Sequence, residues 1–222
     1  MAPSADRRVT MATTAIVGTG NIGARLAADL VDGGQDILVA SRELGSAREL
    51  ADRLGEGATA VSVDDAVSRA DIIVFAVWFD VIKELVARYG DRLKGKIVVD
   101  PSNPIEPDGQ GGFTKTIPRD QSSGVVIASL LPDGARPVKA FGTMLAGTLR
   151  DAAHREPERA VAFYAADDLE AGATVADLIS AAGFDPIRVG GISESLRIEV
   201  FGDLHEGTLG TQPTADEARK LL

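Results

Sequence analysis

The chain has 222 residues, 45% hydrophobic and 25% charged, the proportions of a globular protein rather than a disordered or fibrous one. Its formal net charge of −10 argues against non-specific nucleic-acid binding, which needs a basic surface, but a few local Arg or Lys residues could still hold an anionic small ligand. There is no cysteine, and His154 and His205 are the two histidines, so disulfides, thiol catalysis, thiolate zinc sites and histidine-rich metal sites are excluded, and no metal is expected.

No apolar run reaches the ~18 residues of a membrane span. Residues 1–12 lack the apolar core of a signal peptide and read as a disordered lead-in, so a cytoplasmic location is expected. Thr14 to Val17 is a short buried strand ending at Gly18, and Ile22, Leu26 and Leu30 then fall on one helical face that Gly33-Gly34 closes. Residues 36–40 form a second strand, 44–54 a polar helix, 59–61 a weak strand and 63–70 a short helix. The strongest strand is 71–77, apolar at consecutive positions after Asp71, as a parallel strand covered on both faces should be. A helix over 81–89 and a strand over 96–100 follow. From Pro101 to Asp120, four prolines and three glycines predict a long loop. Beyond it come a helix over 125–131 and a strand over 138–141, then a strand over 160–165, a helical stripe from Val175 to Ala182 and a strand over 185–189. Residues 193–205 read as a possible helix, and the polar tail 208–222 as a terminal helix or disorder.

The regular alternation predicts an α/β protein, a doubly wound parallel sheet with a small C-terminal α/β lobe. The expected division is a nucleotide-binding domain over 13–148, with the lobe and tail over 149–222.

Gly18-Thr19-Gly20-Asn21-Ile22-Gly23 fits G-x-G-x-x-G, directly after a strand and opening a helix, the context that gives this pattern meaning. Gly18 suits the tight turn, Gly20 lets the backbone approach a pyrophosphate, and Gly23 lets the helix pack on the strand. The helix N-terminus then offers free N–H groups to phosphates. At the tip of the second strand, where an NAD site carries an acid, the chain has Ala40-Ser41-Arg42. A serine hydroxyl and a guanidinium favour the 2′-phosphate of NADP. Trp78 and Phe79, just past a strand end, either wall a bound ring or pack under a loop. Lys139 lies in an otherwise apolar strand, placed to touch a substrate or phosphate or to mark an exposed strand end. His154 and His205 read as solvated, and Asp167-Asp168 as a helix N-cap.

These segments, with VVDPSNPI, PVKAFGTM and DLISAAGFDPIRVGG in this order, resemble the NADPH-dependent F420 reductases (F420-dependent NADP oxidoreductases) and their bacterial dinucleotide-binding relatives, over about residues 13–205. The resemblance implies a Rossmann domain, bound NADP, and hydride exchange with coenzyme F420, a deazaflavin, in a cleft between lobes. It places Gly18, Thr19, Gly20, Asn21 and Ile22 at the pyrophosphate, Ser41 and Arg42 at the 2′-phosphate, and Ala76 and Val77 at the cofactor ribose. Asn103 and Pro104 fall near the nicotinamide, with Trp78 and Ala140 also at the cofactor. Trp78, where relatives often carry proline, and Gly142, where they carry Asn or His, depart from the pattern on the acceptor side. Lys139, Lys115 and Arg197 are candidates to hold the acidic tail of F420.

The reading is an NADP-dependent oxidoreductase that moves a hydride between NADP(H) and F420 or a flavin-like ring, with no catalytic side chain required because positioning does most of the work. The alternatives are an NADPH-dependent reductase of a small carbonyl or imine, and a non-enzymatic NADP-binding regulator. A homodimer is expected from base rates, with a small-molecule substrate and no nucleic-acid or membrane partner.

Overall fold

The structure, a computed structural model, describes residues 12–222, so the expected lead-in lies outside the described residues apart from Ala12. In chain order its elements are β1 (Thr14–Val17), α1 (Asn21–Asp32), β2 (Ile37–Ala40), α2 (Leu44–Leu54), β3 (Ala58–Val61), α3 (Val63–Arg69), β4 (Ile72–Phe75), α4 (Phe79–Tyr89) and β5 (Ile97–Asp100). There follow β6 (Ile105–Pro107), β7 (Phe113–Lys115), α5 (Ser123–Leu130), β8 (Arg136–Ala140), α6 (Ala146–Ala152), β9 (Val161–Ala166), α7 (Leu169–Ala181), β10 (Asp185–Gly190), a 3-10 segment over Ile192–Ile198, α8 (Glu206–Leu209) and α9 (Ala215–Ala218).

Eight strands form one sheet in the order β10-β9-β8-β5-β4-β1-β2-β3. The six strands from β3 to β8 in that row run parallel. β1, β2, β4 and β5 are buried at every position, which is why they read as continuous apolar runs. Alternate residues feed two cores. Ile16, Val74 and Val99 pack with Leu26 and Leu30 of α1, Leu149 of α6 and Leu178 of α7. Ala15, Ile73, Phe75 and Val98 pack with Val67 of α3, Ile82 and Val86 of α4 and Ile127 of α5. Each such fully buried aliphatic side chain contributes roughly 1.5–3 kcal/mol, so a sheet filled on both faces is the outcome this pattern favours.

The register aligns one row of residues across the sheet. Val17 pairs with Ala40 and Phe75, and Asp100, one step past the Val74–Val99 pair, pairs with Lys139. Everything one step beyond this row lies on one edge, the carboxyl edge of the parallel strands. The position 148 at which the sequence suggests a division falls inside α6, and the strands after it continue the same sheet. β9 joins β8 antiparallel, and β10 runs parallel to β9. The chain therefore leaves β10 at the edge opposite the row's carboxyl side, and the 3-10 segment carries it back.

Several local expectations change. The stretch 101–120 contains an antiparallel hairpin of β6 and β7, because Asp108 organises its turn by accepting from Gln110 N at 2.8 Å and Gly112 N at 2.9 Å. α7 begins a turn and a half before its apolar stripe, since Asp168 caps it by accepting from Glu170 N and Ala171 N. Residues 192–198 are 3-10 rather than α, and the tail holds the short α8 and α9, the latter opened by a Thr214–Glu217 capping box.

Candidate functional site

Open α/β sheets bind ligands beyond the carboxyl ends of their strands. On that edge, Gly18 closes β1 with φ of +118° and donates its N–H to Ala40 O at 2.8 Å. A Cβ there would lie 2.2 Å from Ala76 O, and one at Gly23 would lie 2.0 Å from Gly18 O. Both glycines are demanded by the fold itself. Gly20 differs, since an added Cβ would meet nothing within 4 Å. As a glycine at the N-cap it offers α1 no side-chain acceptor, and because the first intrahelical bond is Ala24 N to Gly20 O, the N–H groups of residues 21–23 have no partner within the helix. Asn21 is exposed beside it, Thr19 is half-buried, and Ile22 leans onto the core.

At the tip of β2, Ser41 Oγ donates to Glu43 O at 2.5 Å, a local bond that a competing acceptor could replace. The Arg42 side chain is 95% exposed and lies a loose 3.9 Å from Glu43. Beyond β4, Ala76 is buried, Val77 half-buried and Trp78 62% exposed. Phe79 turns inward, 4% exposed, with Lys83 Nζ 4.8 Å from its ring centroid. Of the two aromatics, the wall role stays open to Trp78 alone, because Phe79 begins the buried face of α4.

Beyond β5, Asn103 is a clamp. Its Nδ2 donates to Gly142 O at 3.0 Å and its Oδ1 accepts from Val200 N at 2.7 Å. Pro104 is buried next to it, and Ala140 is buried at the end of β8. The residues flanking the clamp's two partners, Phe141 and Phe201, have φ of +64° and +74°.

Under the clamp lies a network closed to solvent. Lys139 Nζ sits 2.9 Å from Asp100 Oδ2, 2.5 Å from Ser123 Oγ and 3.6 Å from Glu199 Oε1, and also donates to Ser102 O. Asp100 accepts from Ser102 N and Oγ, and Glu199 accepts from Ser123 N, Ser123 Oγ and Gly124 N at the start of α5. Lys139, Ser123 and Glu199 are fully buried.

This corrects the reading of Lys139 as a substrate contact or strand-end marker: two buried carboxylates compensate its charge internally. The other two basic candidates are also engaged. Lys115 Nζ donates to the carbonyls of Arg119 and Gln121, and Arg197 pairs with Asp203 at 2.8 Å. His205 is buried rather than solvated; its Nδ1 accepts from Gly207 N, and burial pushes its pKa down. Glu199, Val200 and Phe201 were not singled out from the sequence. A lone acid in the run Ile198-Glu199-Val200-Phe201 is the signal that could have found them, the same signal that drew notice to Lys139.

A parallel sheet in this order, with a glycine turn between β1 and α1, defines a Rossmann-type dinucleotide-binding domain, and the relatives place it among oxidoreductases. The family described as "NADP oxidoreductase coenzyme F420-dependent" matches residues 13–104. A hypothetical protein of Sinorhizobium meliloti has a solved structure similar at a TM-score of 0.82 and 30% identity, covering 93% of this chain and 97% of that one. The F420-dependent NADP reductase of Methanothermobacter thermautotrophicus is 27% identical over 85% of each chain. The metalloreductase STEAP3 of Rattus norvegicus is 32% identical over 84% of this chain, which spans 35% of that protein's length. Residues 13–104 therefore carry the match to the F420-dependent NADP oxidoreductase family, and the chain as a whole is similar to an F420-dependent NADP reductase and to a bacterial protein of the same fold. Among the described residues, no helix is long and apolar enough to cross a membrane, and no cluster of three or more His, Asp or Glu could hold a metal ion.

Proposed function

We propose that this protein binds NADP(H) along the carboxyl edge of β2, β1 and β4 and exchanges a hydride with a flat conjugated acceptor, coenzyme F420 in the first instance. The observation that carries the reading is the N-terminus of α1 without a side-chain cap, with room beside Gly20, next to a strand tip that offers Ser41 and Arg42 and no carboxylate. Such a cradle fits a pyrophosphate and, one strand over, a 2′-phosphate.

In this reading Gly18, Thr19, Gly20, Asn21 and Ile22 present backbone N–H groups to the pyrophosphate. Ser41 and Arg42 take the extra phosphate, Ser41 by exchanging its bond to Glu43 O for a phosphate oxygen. Ala76 and Val77 flank the ribose, and Trp78 and Asn103 line the nicotinamide end, with Pro104 and Ala140 buried behind it. When bound, the cofactor supplies or takes up a hydride at the nicotinamide C4. Asn103 holds the loops after β5 and β8 and the strap at Val200 in one arrangement, so the edge is preorganised. No side chain of the edge has to donate or accept a proton, because direct transfer depends on placing two carbons ~3–3.5 Å apart.

The test is titration with NADPH and NADH, then NADPH oxidation with F420, with free flavins, and with small ketones and imines. Tighter NADPH binding and turnover with F420 are expected. Turnover with flavins alone keeps the reaction and changes the acceptor. Turnover with a ketone or imine alone overturns the acceptor assignment, and equal affinity for the two nucleotides overturns the role of Ser41 and Arg42.

A further inference from the structure

We propose that Phe201 is the aromatic plate of the acceptor half of this site and selects flat conjugated rings over small aliphatic carbonyl compounds and imines. The inference rests on the oxidoreductase reading above and deepens it, because it names the residue that meets the acceptor.

Three non-glycine residues among those described hold a left-handed backbone: Phe141, His154 and Phe201. Two of them stand directly beside the two groups that Asn103 binds, Gly142 O and Val200 N. A bulky residue in this region is strained and persists only where its surroundings dictate the conformation. Here they do. The Glu199 carboxylate is locked by Ser123 N at 3.1 Å, Gly124 N at 3.1 Å and Ser123 Oγ at 2.9 Å. Gly202 N donates back to Glu199 O at 2.7 Å, and Leu204 N to Arg197 O at 2.9 Å.

What the strain secures differs between the two phenylalanines. Phe141 is fully buried and fills the core. Phe201 is 60% exposed, so its ring is held in water by a backbone pinned on both sides. Packing gives no reason for that expense, and strained backbone of this kind gathers at ligand sites. The location agrees. Val200 is bonded to Asn103, and Asn103 and Trp78 lie equally far beyond the paired residues Val99 and Val74 of adjacent strands. Trp78 and Phe201 are thus exposed aromatics brought to one edge, Trp78 by the end of β4 and Phe201 by the strap that Asn103 holds at Val200. Aromatic faces reward a stacked ring and do little for a small aliphatic ketone, which fixes the ligand class as a planar conjugated system.

Trp78 is the single tryptophan of the chain, so its emission gives a binding readout that needs no turnover. The experiment titrates riboflavin, and separately F420, into the NADP-loaded protein and into F201G, F201L and F201Y, with NADPH affinity and urea midpoint measured alongside. F201G should weaken ring binding about tenfold, F201L partially, and F201Y hardly at all, with NADPH affinity within about twofold throughout. If F201G unfolds, F201L and F201Y still separate aromatic stacking from bulk. Ring affinity unchanged in F201G and F201L overturns the proposal, as does parallel loss of NADPH and ring. An unmutated protein that binds both ligands yet passes no hydride refutes the oxidoreductase reading and leaves the Phe201 comparison valid. An unmutated protein that binds no ring refutes Phe201 as a plate whatever its activity.

Discussion

The glycines of the turn after β1 look alike in sequence and fall into two kinds. Gly18 and Gly23 are closed against backbone oxygens, whereas Gly20 faces open space. Gly18→Ala and Gly23→Ala should therefore each cost stability, on the order of 2 kcal/mol or more by strain and overlap, seen as a lower urea midpoint. Gly20→Val should leave that midpoint nearly unchanged and abolish NADPH binding in a fluorescence titration. A Gly20→Val protein that binds normally would show that no phosphate lies over this turn. Arg42 supports a second expectation. Its exposed guanidinium forms no tight ion pair, and one charge-assisted contact contributes ~1.5–3 kcal/mol. Arg42→Ala should narrow the NADPH-over-NADH preference by roughly tenfold to a hundredfold, read from the two dissociation constants. The glycine turn was legible because spacing alone encodes its geometry. Lys139 was not, because a sequence shows a charge without its partners, and those lie in β5 and in the strap after β10.

Among elements, the buried strands were the most legible, since burial on both faces writes itself as unbroken apolar runs. The β6–β7 hairpin was hidden by its glycines and prolines, and α6 by its brevity and by Gly147. The antiparallel joint of β9 leaves no mark in either strand, because orientation depends on the path of the connection. The element most in need of support is α5, apolar on most sides yet exposed at Val125 and Leu130. Its N-terminus is anchored through Glu199 to Lys139 and the sheet. Lys139→Met would leave Asp100 and Glu199 buried without a cation and should cost about 3–5 kcal/mol. Denaturation followed by circular dichroism would measure this, and a loss below about 1 kcal/mol would mean the pair is dispensable.

For the whole molecule, the pH profile should carry the signature of one buried acid. Asp29 on α1 is fully buried beside Arg25, and burial lifts its pKa to about 6. The folded state then keeps a proton that the unfolded chain loses near pH 4, so stability falls as pH rises from about 4 to 6 and levels off above, by roughly 3 kcal/mol. Asp168 acts with the opposite sign. Arg136 holds it down to about 2, so its contribution is present above pH 4 and is lost as pH falls toward 2. Asp29→Asn should flatten the upper slope and raise the urea midpoint at pH 7.5; curves that run parallel to the unmutated protein would exclude this origin. The Arg136–Asp168 pair has a further significance, because it joins the start of β8 to the end of β9, across the reversal and at the edge opposite the glycine turn. Reversing the chain there places this ion pair at the edge opposite the proposed site, so one side bears on stability and the other on the proposed binding. Drift, grafting or tagging at the first side can change how long the protein survives without retuning what it recognises, and new acceptor preferences can arise on the second without the scaffold having to be rebuilt.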